Sequence, residues 1–221
     1  MSPDTASALL LSIRVAVLAT LLNAVVGIPL AYLLARRRFR GRGLVDLLTT
    51  LPLVLPPTVT GYYLIVLLGR RGWLGGPVYQ LTGWSVAFTW YAAVVAATVM
   101  ALPLLVRTAK AAFESVDRDL ERAAYTLGRS ELRTALEVTL PLARNGVLAG
   151  LVLAFGRALG EFGATLMLAG NIPGKTSTVP LAIYTAVQTG EESTGLFLVG
   201  VLTALSCLVI VAANRLGARA T

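Results

Sequence analysis

Arg157 and Glu161 stand four residues apart inside an otherwise apolar stretch. That spacing puts two helical side chains on one face, within reach of each other. A charge at mid-bilayer costs about 2.5–3.5 kcal/mol on insertion scales, so such groups pair, or line the path of a charged cargo. A guanidinium held by a carboxylate suits a passing anion, with Glu161 fixing Arg157; the same pair would also serve as a lock between packed helices. Other chemistries lack their material. The chain has no His, which removes a His general base and a Ser-His-Asp triad. Its one cysteine, Cys207, allows neither an intrachain disulfide nor a Cys/His metal site. Residues 169–176 read A-G-N-I-P-G-K-T, close to a phosphate-binding loop, but such a loop must follow a strand and open a helix. This one follows an apolar helix and runs into Pro180, so it is expected to be an ordinary loop.

A second group of residues acts through the backbone. Pro52, Pro56 and Pro57 interrupt an apolar run, and Thr58 and Thr60 follow directly. Proline removes a backbone donor and frees earlier carbonyls. In a membrane, a broken backbone is tolerated where it is buried in protein or faces a wet cavity. Pro56, Pro57, Thr58 and Thr60 are therefore candidates, with Arg157 and Glu161, for a substrate pathway or gate; a plain helix kink is the other reading.

The elements that must hold these residues are membrane spans. Of 221 residues, 56% are hydrophobic and 14% charged, where soluble domains carry roughly 25% charged residues. A span needs about 20 apolar residues. Five segments qualify, 8–35, 46–68, 85–106, 147–169 and 196–214, giving an all-α polytopic membrane protein in a single domain over 1–221. Arg14 lies near one end of the first span and is expected to snorkel to the headgroups. The first segment is too long for a signal peptide, and its positive cluster follows the apolar run. In the fourth, Gly146, Gly150 and Ala154 form one small-residue ridge and Gly156, Gly160 and Ala164 another, spacings that let helices approach closely.

The formal charge of +8 is distributed as membrane orientation requires, with no basic face interleaved with aromatics to suggest nucleic acid. Arg36, Arg37, Arg38, Arg40 and Arg42 fill loop 36–43. Arg107, Lys110, Arg118, Arg122, Arg129, Arg133 and Arg144 fall in loop 107–145, and Arg215 and Arg219 follow the last span. The loops on the other side have Arg70, Arg71 and Lys175. Cytoplasmic loops carry the excess of Lys and Arg, so the N-terminus is expected outside and the C-terminus and loop 107–145 inside.

Loop 107–145 is the longest polar segment and faces the compartment that holds ATP. Within 117–127, Leu120, Ala123, Ala124 and Leu127 follow helical spacing. Asp117 and Asp119 suit the helix start, and Gly128 can end it in the left-handed conformation. A second helical stretch, 130–138, leads to Pro141. The loop should form a helix–turn–helix platform whose small residues admit another backbone, although an amphipathic stretch lying on the headgroups has the same pattern.

This segment resembles the EAA signature of ABC importer permeases: Glu-Ala-Ala, three residues, Gly, nine residues, then Ile-x-Leu-Pro. Ala123, Ala124 and Gly128 match it, and nine residues lead to Val138-Thr139-Leu140-Pro141. The position of the family's Glu holds Arg122, with Glu121 one place earlier. The runs 51–62, 69–72, 159–165 and 171–176 are similar to the molybdate permease branch. The resemblance implies a type I importer permease that forms a homodimer. It would work with two ATP-binding subunits, which hold the ATP and magnesium while this chain binds no cofactor, and with an external oxyanion-binding protein that loop 170–195 would meet. The chain would be a transporter subunit in a bacterial or archaeal cytoplasmic membrane, not an enzyme, carrying molybdate or tungstate. Coupling to the ATPase subunit would fall to Glu121, Ala123, Ala124, Gly128, Leu140 and Pro141. Sulfate permeases share part of these runs, notably Gly160-Glu161-Phe162-Gly163, and remain an alternative. An ion-coupled secondary transporter would more often show repeated halves with acids at the midplane.

Overall fold

A computed structural model describes residues 3–217. Every regular element among them is helical: α1 (Pro3–Arg36), α2 (Arg42–Val54), α3 (Pro57–Leu68), α4 (Gly75–Thr82), α5 (Trp90–Glu114), α6 (Arg118–Thr126), α7 (Glu131–Thr134), α8 (Leu140–Leu159), α9 (Gly163–Ala169), α10 (Val179–Thr189) and α11 (Glu192–Gly217). A π-helical turn, Ala135–Thr139, joins α7 to α8, so Glu131–Leu159 runs as one rod. Four rods are long and apolar enough to cross a membrane: α1, α5, Glu131–Leu159 and α11.

The fifth apolar segment is α2 with α3, which together are long and apolar enough for one broken span and meet at a bend of 120°. The sequence suggested one kinked span over 46–68; the chain instead breaks at Leu55, which is extended (φ −70°, ψ 141°), with Pro56 capping α3 and Pro57 opening it. Proline is tolerated at a first helical position because that N–H lacks a partner anyway. The broken pair still progresses along α5. Asp46 of α2 pairs with Lys110 near the end of α5, while Leu64 of α3 packs beside Ala96 and Met100.

The core forms where α1, α5 and α8 pack together, and it is built largely from alanine: Ala16, Ala19, Ala31, Ala97, Ala101 and Ala154 are fully buried. Small side chains bring the backbones together, the packing mode that lipid favours. The ridge of Gly146, Gly150 and Ala154 lies on α8, but the second expected ridge is split, because α8 ends at Leu159 and Ala164 belongs to α9. A Cβ at Gly146 would lie 2.5 Å from that of Ala112 on α5, and one at Gly156 would lie 2.7 Å from Val209 on α11. The guanidinium of Arg14 lies 3.9 Å from the centre of the Trp90 ring.

Other boundaries move. Helix α5 runs on from the expected 85–106 span to Glu114, and the rod begins at Glu131, so the polar connection shrinks from 107–145 to 115–130 and Arg107 and Lys110 belong to a span. The expected fourth span, 147–169, breaks at Gly160–Phe162. Helices α4 and α10 occupy stretches expected as loops. Residues 169–176 do not open a helix on Lys175 and Thr176; the Ile172 carbonyl accepts from the amides of both, and Thr176 Oγ1 accepts from Ile172 N. Arg219, counted with the last tail, lies outside the described residues.

Candidate functional site

The polar platform is built by its caps. Asp117 Oδ1 accepts from Asp119 N at 2.9 Å and starts α6. Gly128 ends it at φ 78°: Arg129 N donates to Ala124 O and Gly128 N to Tyr125 O, the paired bonds of a Schellman motif, which needs a left-handed residue at that position. Ser130 Oγ then accepts from Arg133 N to open α7, and Arg129 braces the turn against Glu137 at 2.9 Å.

The two faces of α6 differ. Leu120, Ala123 and Leu127 point to solvent, Leu127 being 81% exposed. Arg122 is on the surface too, paired with Asp119. The opposite face carries Glu121, a charged residue only 7% exposed. Its Oε1 accepts from Thr139 Oγ1 at 2.5 Å and lies 3.0 Å from Arg36 Nε. That ion pair is off the line of a hydrogen bond; Arg36 instead donates through NH2 to Val116 O at 2.9 Å. Glu121 thus ties α6 to the end of α1 and, through Thr139, to the π turn that feeds α8. Beside it, burial and the Glu121 and Glu131 carboxylates push the Tyr125 hydroxyl up, keeping it protonated.

Of the residues expected to couple, the structure gathers Glu121, Ala123, Ala124 and Gly128 on one helix and its cap, with Ala124 buried beneath. Leu140 and Pro141 stand apart at the start of α8, where Leu140 packs on the apolar core. Sequence reasoning missed Arg36 and Thr139. Arg36 reads as one arginine among several at a span end, and nothing in its spacing signals a contact with residue 121.

The second cluster lies where α8 breaks. Arg157 NH1 is 2.7 Å from Glu161 Oε2, with the arginine side chain a quarter exposed and the glutamate side chain buried. Glu161 is past the helix end, and its Oε1 accepts from Ala164 N at 2.8 Å, so it caps α9 while holding Arg157. The break faces the α2–α3 break. A Cβ at Gly163 would lie 2.9 Å from Pro57, and one at Gly61 would lie 2.7 Å from Met167 Cβ and 2.8 Å from Ala164 Cα. Pro56, Pro57 and Thr58 are exposed here, and Thr60 is buried with its hydroxyl unpartnered. Two broken helices thus meet beside an ion pair, and membrane backbone breaks in this way where it is buried in protein or lines a wet cavity.

The family model described as "Binding-protein-dependent transport system inner membrane component" matches residues 27–221. The molybdenum transport system permease protein ModB of Escherichia coli K12 is 51% identical over 187 residues, covering 84% of this chain and 82% of that protein. ModB of Haemophilus influenzae is 47% identical over 207 residues, covering 92% and 90%. Among solved structures, the MetNI methionine ABC transporter in inward facing conformations superposes with a TM-score of 0.73 at 17% identity, over 100% of both chains; this likeness shows the fold. On the family match and the identity to its relatives, the chain belongs to the binding-protein-dependent transport system inner membrane components, the multi-pass membrane permeases of ABC importers.

Proposed function

We propose that this chain carries molybdate, or its near-isostere tungstate, across the cytoplasmic membrane as a homodimeric permease. What supports the cargo is the 51% identity to a molybdenum permease. Two identical chains would enclose the path, an external oxyanion-binding protein would deliver the anion to the side of Lys175, and two ATP-binding subunits, holding ATP and magnesium, would dock beneath. The N-terminus faces out and the C-terminus in.

Each end of the cycle has its residues. The exposed face of α6, with Leu120, Ala123 and Leu127, enters a cleft of the ATPase subunit. Closure of that subunit moves α6, and Glu121 passes the displacement to α1 through Arg36 and to α8 through Thr139. A rigid side-chain link of this kind can bias two global states. At mid-membrane, Arg157 offers the dianion a guanidinium edge, which Glu161 holds in place, while the α3 and α9 breaks let the path open and close.

The deciding experiment is ATPase activity in proteoliposomes holding the chain, its cognate ATPase and its binding protein. Stimulation by molybdate and tungstate but not sulfate is expected. Stimulation by sulfate alone would move the cargo to sulfate. Oxyanion uptake driven by an ion gradient without ATP would end the reading.

A further inference from the structure

We infer that the cytoplasmic end of the bundle holds a site for one anionic phospholipid, its phosphate among arginines and an acyl chain in an adjoining apolar groove. The inference needs the membrane placement proposed above but not the cargo.

Three span ends converge there: Arg36 closes α1, Glu114 closes α5 and Arg42 opens α2. Between them lies a cavity of about 420 Å³ lined by Arg36, Arg37, Arg38, Arg42, Arg118 and Glu114. Three of the guanidinium groups have carboxylate partners. Arg36 meets Glu121, Arg37 meets Glu131, and Arg42 meets Glu114 at a long 3.9 Å. Arg38 and Arg118 have none among the described residues. Two guanidinium groups without a carboxylate partner, lining one cavity at the end of the bundle, supply the charge and the hydrogen-bond donors that a phosphate takes.

A free phosphate would need nothing more, but the cavity does not end there. It adjoins a polar pocket through Arg36, Arg37 and Arg118. That pocket shares Tyr32 and Glu131 with a third cavity of about 510 Å³, lined by Ile28, Leu33, Phe113, Leu132, Leu136 and Leu140. Leu132 and Leu136 are 70% and 56% exposed in this groove. An arginine pocket leading into an apolar groove between two spans has the two-part chemistry of a phospholipid. Its position also gives it a consequence. Arg118 opens α6, Arg36 holds Glu121, and the groove runs along the π turn, so an occupied site would brace the platform.

The test is native mass spectrometry of the permease–ATPase complex incubated with phosphatidylglycerol, phosphatidylcholine or inorganic phosphate. The wild-type complex should retain phosphatidylglycerol over phosphatidylcholine. In R38Q/R118Q retention should fall by about fivefold per charge removed, the scale expected for an arginine at an anionic surface. L136W, which fills the groove and leaves the arginines, should also lower it. Unchanged retention in both variants would overturn the site. Phosphatidylglycerol displaced by inorganic phosphate, with L136W without effect, would overturn the lipid assignment in favour of a free anion. Loss of the ATPase subunit from R38Q/R118Q at unchanged lipid retention would assign the arginines to the protein partner instead.

Discussion

At the scale of single residues, the chain places its few buried charges where each makes more than one contact. Glu121 and Arg36 have side chains 9% and 6% exposed, and removing one partner of such a pair strands the other. Glu121→Ala should therefore cost about 3–5 kcal/mol, read as a fall in the unfolding midpoint of the detergent-purified protein. The double variant Glu121→Leu with Arg36→Met should lose much less, because it leaves no orphaned charge. Both should abolish anion-stimulated ATPase activity if the pair transmits motion, which separates transmission from stability. Glu161 makes a similar double contact, with Arg157 NH1 and Ala164 N. Glu161→Gln keeps an oxygen for the amide but loses the charge, whereas Glu161→Ala loses both. Transport should fall in both variants if Arg157 must be held, while thermal stability should fall further in Glu161→Ala, by the roughly 1–3 kcal/mol that an unsatisfied buried donor costs.

At the scale of elements, the turn after α6 and the contact between broken helices make opposite demands on glycine. Gly128 sits at φ 78° with nothing within 4 Å of where a Cβ would stand, so the demand is conformational. Gly128→Asn should be tolerated and Gly128→Val should cost about 1–2 kcal/mol, checked by thermal unfolding. Gly61 has no such φ, but its Cβ would strike Met167 and the Ala164 backbone. Gly61→Leu should thus force α3 from α9 and lower transport more than Gly61→Ala does, measured as uptake into vesicles. Physics explains which of these elements the sequence discloses. Long apolar runs mark α1, α5 and α11 because lipid selects for them directly. Asp117 and Gly128 mark the limits of α6 because caps are local. The break at Gly160–Phe162 is hidden because the four-residue spacing of Arg157 and Glu161 reads as a pair on one continuous helix, whereas Glu161 stands past the end of α8 and accepts from Ala164 N at the start of α9. The π turn leaves no compositional trace, since it is a shift of backbone hydrogen bonds. Helices α4 and α10 are too short for the span criterion and are bounded by polar turns, so they pass for loops. The resemblance singles out Glu121 for coupling, but its burial and its pairing with Arg36 emerge only once the end of α1 is folded against it.

At the scale of the whole molecule, one vector organises everything: arginines gather at one end of the bundle, and α6 lies at that end. The orientation proposed above rests on the loop charges, and the coupling proposal requires it, since a docking helix serves an ATPase only where ATP is. The two arguments are independent, one resting on insertion and the other on energetics, so a topology test bears on both. Replacing Cys207, the chain's one cysteine, with serine leaves a blank background for single reporters. Lys175 and Arg40 are exposed and make no described side-chain contact, so each accepts a cysteine without disturbing the fold. In intact cells a membrane-impermeant maleimide should label Lys175→Cys and should reach Arg40→Cys only after permeabilisation. The reverse pattern would put α6 outside, and no arrangement of Glu121, Arg36 and Thr139 would then connect it to ATP. The expected pattern leaves the exposed Leu120 and Leu127 in the cytoplasm, where apolar side chains on a polar helix call for a protein partner to cover them.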